Sequence, residues 1–306
     1  MEEIPIVVVN YNGAELLKKY LKSVLETRYP YKDVVVIDNG STDDSVEYVK
    51  SLGVKVIRLD KNYGPAYARN VALRTFKTQF VAFLDNDVET PPDWLDPLLE
   101  TIRSDERVAA VQSLYTEWPY GEEPRPIPWF STAAVLTRRE ALLKVGGFDE
   151  RYFFYWEDVD LSWRLWRAGY RILMVPKSKV FHEAHGTFRK LPSPFTSYLT
   201  LRNQLLLLLT FYDLHQLLTT FPALYAIRAV QSLRGPNRAA QLRALLSIFR
   251  EIKYIREKRR LVKELSVQGN VFLRMLGDPP FGYGEFASVT KAIARKLAAK
   301  VGKPSS

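Results

Sequence analysis

Four short runs of Val, Ile, Leu and Phe, at residues 4–10, 34–38, 54–59 and 80–84, alternate with stretches of helical spacing. Runs this short read as buried strands. Between the first two, residues 13–26 place Leu16, Leu17, Tyr20, Leu21, Val24 and Leu25 on a helical repeat, and residues 67–75 continue the alternation. Ser41-Thr42-Asp43-Asp44 offers the side-chain oxygens and negative charge that suit a helix N-terminus. A helix over 94–102 and a strand over 108–114 follow. Strands separated by helices predict an α/β fold: a mostly parallel, Rossmann-like sheet with both faces covered. A dinucleotide fold of this type needs G-x-G-x-x-G after its first strand; here the turn is Asn10-Tyr11-Asn12-Gly13, so that fingerprint is absent.

The run at 80–84 ends in Asp85-Asn86-Asp87. Two carboxylates two residues apart would emerge at the carboxyl edge of the sheet, where open α/β folds bind ligands. They repel unless something positive lies between them. A hard divalent cation carrying a diphosphate satisfies both; a polar turn with capping aspartates, ahead of Pro91-Pro92 and Asp93, is the competing reading.

Beyond a Pro-, Trp- and Tyr-rich loop at 115–128, a strand over 133–137 leads into a helix over 140–145 stopped by Gly146-Gly147. Residues 158–168 predict a helix with Gly169 past its end, and 172–175 and 180–182 two short strands. Further polar groups therefore fall at strand or helix ends: Asn10, Asp38 in Asp38-Asn39-Gly40-Ser41, Glu157-Asp158, and His182 with His185 close behind.

The ordered strings Gly146-Gly147-Phe148-Asp149, Tyr155-Trp156-Glu157-Asp158-Val159-Asp160-Leu161 and Ala168-Gly169-Tyr170, with Asp38 and Asp85-Asn86-Asp87 upstream, resemble glycosyltransferase family 2. They are similar to its rhamnosyl-, galactofuranosyl- and mannosyltransferase-like branch. The resemblance covers residues 4–210 and implies a GT-A nucleotide-sugar-binding fold. It implies an inverting transfer of sugar from a nucleotide-diphosphate donor to a hydroxyl acceptor, a lipid-linked glycan or polyprenyl phosphate. By the same resemblance Asp87 is the principal ligand of Mn²⁺ or Mg²⁺, and Asp85 sits near the ribose of the nucleotide or on the metal. His182, or else His185, adds an imidazole that tilts the choice towards Mn²⁺. Asp158 is the implied general base, and Glu157 positions base or acceptor. Asp38 and Asn10 belong to the nucleotide site, Asp38 having a turn-forming Asx as its alternative. Arg69 supports nucleotide or diphosphate. Trp118, Trp129 and Trp156 are candidates for stacking on sugar rings or for core packing. A nucleotidyltransferase would need a Gly-rich basic loop near the first strand, which is missing. A non-catalytic glycan-binding relative would show an eroded metal or base site, and here every acid is present.

After Pro192 and Pro194 only helical patterns remain, and the charge changes sign. Residues 195–306 carry 18 Lys/Arg against 6 Asp/Glu, while 1–194 are close to neutral. The expected organisation is a catalytic domain over 1–194 and a basic helical region over 195–306. Residues 203–227 lack Lys and Arg, but Asp213, His215 and Pro222 interrupt them, which favours helices at the membrane interface over a span. Basic amphipathic patterns at 242–260 and 286–301 suit an anionic lipid surface; a solvated face or a homo-oligomer contact is the alternative. No nucleic-acid motif accompanies the charge. The acidic N-terminus runs straight into a strand without a secretory leader, so the expected location is the cytoplasmic face of the membrane. The chain has no Cys, which excludes disulfide and thiolate chemistry; with only 3 Met it leans towards a heat-adapted composition.

Overall fold

The computed structural model describes residues 2–115, 121–183, 193–233 and 236–267. His185, Trp118 and the pattern at 286–301 lie outside the described residues. Residues Met1–Val267 form one compact unit.

Its centre is an eight-stranded sheet in the order β3-β2-β1-β4-β8-β6-β9-β7. The strands are β1 (Ile4–Asn10), β2 (Lys32–Asp38), β3 (Lys55–Arg58), β4 (Phe80–Asp85), β6 (Val108–Leu114), β7 (Arg125–Pro126), β8 (Ala134–Arg138) and β9 (Arg171–Lys179). β1, β2, β3 and β4 run parallel; β1, β4 and the second half of β2 are buried on both faces, while β3 at the edge is only partly covered. That is why these strands read as unbroken apolar runs rather than alternating ones. β8 enters antiparallel between β4 and β6. The two strands expected over 172–182 are instead a long β9 and a separate two-residue β10 (Phe181–His182).

The register aligns the functional edge. Asn10 of β1 sits opposite Asp38 of β2, and Val9 opposite Asp85 of β4, so three polar residues end neighbouring parallel strands at one level. β5 (Val88–Glu89) then turns away and pairs antiparallel with β10, placing His182 against Val88.

Helices α1 (Ala14–Leu25), α2 (Ser45–Ser51), α3 (Pro65–Thr75), α4 (Leu95–Arg103), α5 (Arg139–Lys144) and α6 (Glu157–Arg167) accompany the strands. The Ser41–Asp44 pattern ends at Asp44, the N-cap of α2, and Asp43 serves two helices. One carboxylate oxygen accepts from Ser45 N at 3.2 Å, and the other from Ala14 N at the start of α1, 2.9 Å away. One carboxylate thereby satisfies an orphan N–H at each of two helix starts.

The apolar stretch 203–227 is two elements, α7 (Ser193–Phe211) and α8 (Leu214–Ser232). Asp213, which interrupts the apolar pattern, is the N-cap of α8 in a reciprocal capping box with Gln216. Among the described residues no helix is long and apolar enough to cross a membrane. α9 (Arg238–Ser247), a 3₁₀ turn at Ile248–Glu251 and α10 (Ile252–Leu265) complete the unit. α7 buries Leu205, Leu206, Leu207 and Leu208. α10 is tied to the α/β part by Lys258, which lies between Asp149 and Asp160 (3.2 Å to the latter), while Arg164 forks onto Asp160 from within α6.

Candidate active site

The carboxyl ends of β1 and β4, with the N-terminus of α6, enclose a cleft of about 1100 Å³, solvent at its mouth included. Asp85, Asn86, Asp87, His182, Glu157 and Asp158 all line it. Residues separated by almost a hundred positions meet there because two local devices fold them inward.

The first is the β5–β10 pair. It sets Glu183 N on Asp87 O at 3.1 Å and brings His182 Nε2 to 3.1 Å from Asp87 Oδ1. Tyr115 packs edge-on against the imidazole, ring centroids 5.3 Å apart. Asp85, Asp87 and His182 each present one ligand atom, all within 4.8 Å of one another. Two hard carboxylate oxygens and a borderline imidazole at that spacing fit a divalent cation such as Mn²⁺ or Mg²⁺. Burial opposes a proton on His182, but its bond to Asp87 and the charges of Asp85 and Asp87 outweigh burial and raise its pKa.

The second device is Arg69. Its buried guanidinium donates to Asp85 Oδ1 and Glu157 Oε1, both at 3.0 Å. Arg69 thus links the end of β4 to the start of α6. The repulsion between Asp85 and its neighbours is relieved by this arginine on one side and His182 on the other. Glu157 Oε2 is buried with no hydrogen-bond partner, an acceptor left over at the cleft wall. Glu157 has a raised pKa, because burial outweighs Arg69.

Asp158 follows on the same helix turn, one oxygen accepting from Val159 N at 2.8 Å. Burial and then the Glu157 charge push its pKa up to about 7. A carboxylate with that value takes a proton readily near neutral pH, as a general base should. Asp160, two residues further and so on the opposite side of the helix, faces Arg164 and Lys258 instead of the cleft.

Asp38 is 1% exposed and does not line the cleft. Its oxygens accept from Asn10 Nδ2 (3.1 Å), Ser41 N (2.9 Å) and Ser41 Oγ (2.5 Å). Asn10 in turn accepts from Asn86 Nδ2 at 2.7 Å. Asp38 and Asn10 therefore form a buried scaffold under the edge, and Asn39, Asn62 and Tyr11 make the wall above it. A Cβ at Gly13 would fall 2.1 Å from Asn86 Nδ2, so only glycine admits this Asn10–Asn86 pair.

Several contributors, Trp156 apart, lie outside the set of residues read from the sequence. Phe153, Phe154, Tyr155 and Trp156 line the cleft, and Phe153, Tyr155 and Trp156 have φ of 61°, 68° and 72°. Positive φ at bulky residues is strained and persists only where the surroundings impose it. Asn203 of α7 does so: its Nδ2 donates towards Tyr152 O, Phe154 O and Tyr155 O at 2.8, 2.8 and 3.0 Å. Trp156 Nε1 reaches Thr200 O at 3.1 Å. The signal for Asn203 was the polar triplet Arg202-Asn203-Gln204 set into an otherwise apolar helix, since a buried polar group needs partners. Trp129 does not line the cleft, whereas Trp156 does.

A family model described as Glycosyl transferase family 2 matches residues 6–161. N-acetylglucosaminyl-diphospho-decaprenol L-rhamnosyltransferase of Mycobacterium tuberculosis is 30% identical over 240 residues, covering 61% of this chain and 78% of that protein. Pre-mycofactocin glycosyltransferase of the same organism is 32% identical over 212 residues, and the match spans 61% of this chain but only 44% of that protein. Among solved structures, mannosyltransferase PcManGT from Pyrobaculum calidifontis in complex with GDP-Man and Mn²⁺ superposes with a TM-score of 0.57 at 21% identity, covering 86% of this chain and 85% of that one. GalNAc-T7 with UDP, GalNAc and Mn²⁺ gives a TM-score of 0.60 at 19% identity, covering 83% of this chain and 57% of that one. The fold is therefore GT-A.

Proposed function

Because this chain belongs to glycosyl transferase family 2 and is a glycosyltransferase, we propose that it catalyses a metal-dependent, inverting transfer. The donor is a nucleotide-diphosphate sugar, and the acceptor is a hydroxyl on a lipid-linked glycan or polyprenyl phosphate. Residues 1–194 carry the chemistry, and the basic helical region 195–306 holds it at the cytoplasmic membrane face. The observation that carries the reading is the convergence of Asp85, Asp87 and His182 with Asp158 in one cleft. A lipid-linked acceptor is supported by the first relative, whose name specifies N-acetylglucosaminyl-diphospho-decaprenol.

Asp87, Asp85 and His182 would hold the cation, which when bound neutralises the leaving diphosphate as a Lewis acid. Asp158 accepts the proton of the acceptor hydroxyl as that oxygen bonds to the anomeric carbon. The bond from that carbon to the diphosphate oxygen breaks on the opposite face, and one displacement inverts the configuration. Arg69 fixes Glu157 and Asp85 relative to each other, and Glu157 positions the base or the acceptor. The strained loop 153–156 walls the site with aromatic surface suited to sugar rings.

Calorimetry with uridine, guanosine and thymidine diphosphate sugars, with Mn²⁺ and then with chelator, tests this. One donor should bind in a Mn²⁺-dependent way and lose affinity in Asp87→Ala. Binding indifferent to both chelator and that substitution refutes the metal site. Asp158→Asn should bind donor and fail to transfer; retained turnover places the base elsewhere.

A further inference from the structure

α8 is an apolar helix that the fold leaves largely uncovered. Among its 19 residues only Gln216 and Ser232 are buried, while Leu214 and Leu218 are 69% and 70% exposed. Across from it, Phe249 and Ile252 stand 63% and 44% exposed, and Leu246, 66% exposed, lines the neighbouring recess with Arg243 and Arg250. Between α8 and Phe249 and Ile252 lies a groove of about 1080 Å³, open solvent included, walled by Leu209, Phe221, Pro222, Tyr225, Ile248 and Ile255 with Arg256 at its margin. A soluble surface seldom leaves so much contiguous apolar area open without a partner.

Charge decides which partner. Arg243, Arg250, Lys253 and Arg256 are exposed and fall three or four residues from Leu246, Phe249 and Ile252. Guanidinium groups and apolar tips are therefore interleaved on one face. Residues 193–267 carry 12 Lys/Arg against 4 Asp/Glu, and residues 268–306 carry 6 against 2. A second copy of this face, or the chain's own C-terminal segment, would bring like charge onto like. Nucleic acid offers the anionic charge but no apolar phase for Leu218, Leu246 or Ile252. An anionic bilayer surface offers both: phosphates for the arginines and acyl chains for the leucines, phenylalanine and groove.

We propose that the α8 face and the α9–α10 edge, with the groove between them, form the docking surface for an anionic lipid bilayer. This locates the membrane contact of the proposed function, and it rests on that reading only for its purpose. The surface also bears on the cleft. The same α7 that contributes Leu209 to the groove carries Asn203, six residues or about 9 Å of helix earlier, which clamps the strained loop of the active site. A bilayer held at α8 would therefore lie on the rigid element that shapes the acceptor wall.

Full-length protein is floated with phosphatidylcholine vesicles, with or without phosphatidylglycerol, at low and high salt. It should float with the anionic vesicles only, and salt should release it. Arg243→Glu with Arg250→Glu should weaken partition at least about twentyfold, because each basic residue near an anionic surface is worth a factor of about five. Leu246→Ser, Phe249→Ser and Ile252→Ser together should also abolish flotation; all three are exposed, and a thermal melt checks their folding. Flotation unchanged by either set overturns the proposal. So does a concentration-dependent dimer, by sedimentation velocity, that the Phe249→Ser set dissolves, since a second copy would then be the occupant. Donor calorimetry on the same preparations without vesicles separates the two readings. Donor binding without flotation refutes the surface alone, and flotation without donor binding refutes the transferase chemistry alone.

Discussion

Asp158 holds a charge where the fold disfavours one, and neutralising it should make the protein more stable as well as inactive. Its carboxyl has a pKa of about 7 against an ordinary 3.8, chiefly through burial and secondarily through Glu157. A folded-state value above the unfolded one means that the fold favours the protonated form. That advantage is complete below pH 3.8 and is lost as pH rises through about 7. Each unit of difference is worth about 1.4 kcal/mol, so wild type forfeits about 1 kcal/mol by about pH 4.5 and up to about 4 kcal/mol above pH 7. Asn is neutral and nearly isosteric, and its side-chain oxygen can keep the bond from Val159 N. Asp158→Asn should therefore raise the melting temperature on the order of 5–10 °C at about pH 8, and far less at about pH 4.5. Differential scanning calorimetry in chelator, which keeps a bound cation from altering the titration, measures both. In wild type kcat/KM should fall below about pH 7 as Asp158 takes up its proton. An equal gain at both pH values, or a variant less stable at about pH 8, would refute the claim that this carboxylate is held charged against its environment.

Three further substitutions probe the groups around it. Arg69→Met leaves the buried Glu157 and the partly exposed Asp85 without their shared cation, so stability should fall by about 3 kcal/mol at neutral pH and less in acid, where Glu157, its pKa already raised by burial, takes up a proton; urea unfolding at the two pH values checks it. His182→Gln keeps a hydrogen-bond donor for Asp87 but removes the imidazole nitrogen, and Mn²⁺ affinity by calorimetry should drop at least about tenfold, with Mg²⁺ affected less. Asn203→Leu strips three loop carbonyls of their donor; transfer should fall about tenfold or more while the donor Kd changes little, and a drop in donor affinity instead would place the loop on the donor side.

The sheet, its strands up to β4 and the carboxylates at its edge were legible because they follow from local rules. Short apolar runs make strands, and a residue at the end of a parallel strand must emerge at the carboxyl edge. Asp85 and Asp87 needed nothing more to be placed at that edge, whereas Glu157-Asp158 at the start of α6 came from the family resemblance. What escaped was set by contacts between distant segments. The antiparallel insertion of β8 depends on which edge of the sheet was still open, not on its own residues. Asp38 had the right position but the wrong exposure: whether an acid at a strand end faces ligand or backbone turns on its neighbours, and Ser41 and Asn10 claim both its oxygens. Asp213 broke an apolar run in a way that weakened a span reading, yet its physical role is a cap, which fixes where α8 starts and so which leucines stay outside. Arg69 shows the limit most directly. A charged residue on a helix is ordinarily solvated, and only the fold reveals that its burial is balanced by two carboxylates. Because those carboxylates belong to the proposed cation site and the helix of the proposed base, the arginine, which the sequence reading assigned to nucleotide or diphosphate, is the link between them. The chemistry of the cleft therefore depends on a buried ion pair as much as on the acids that the sequence displays.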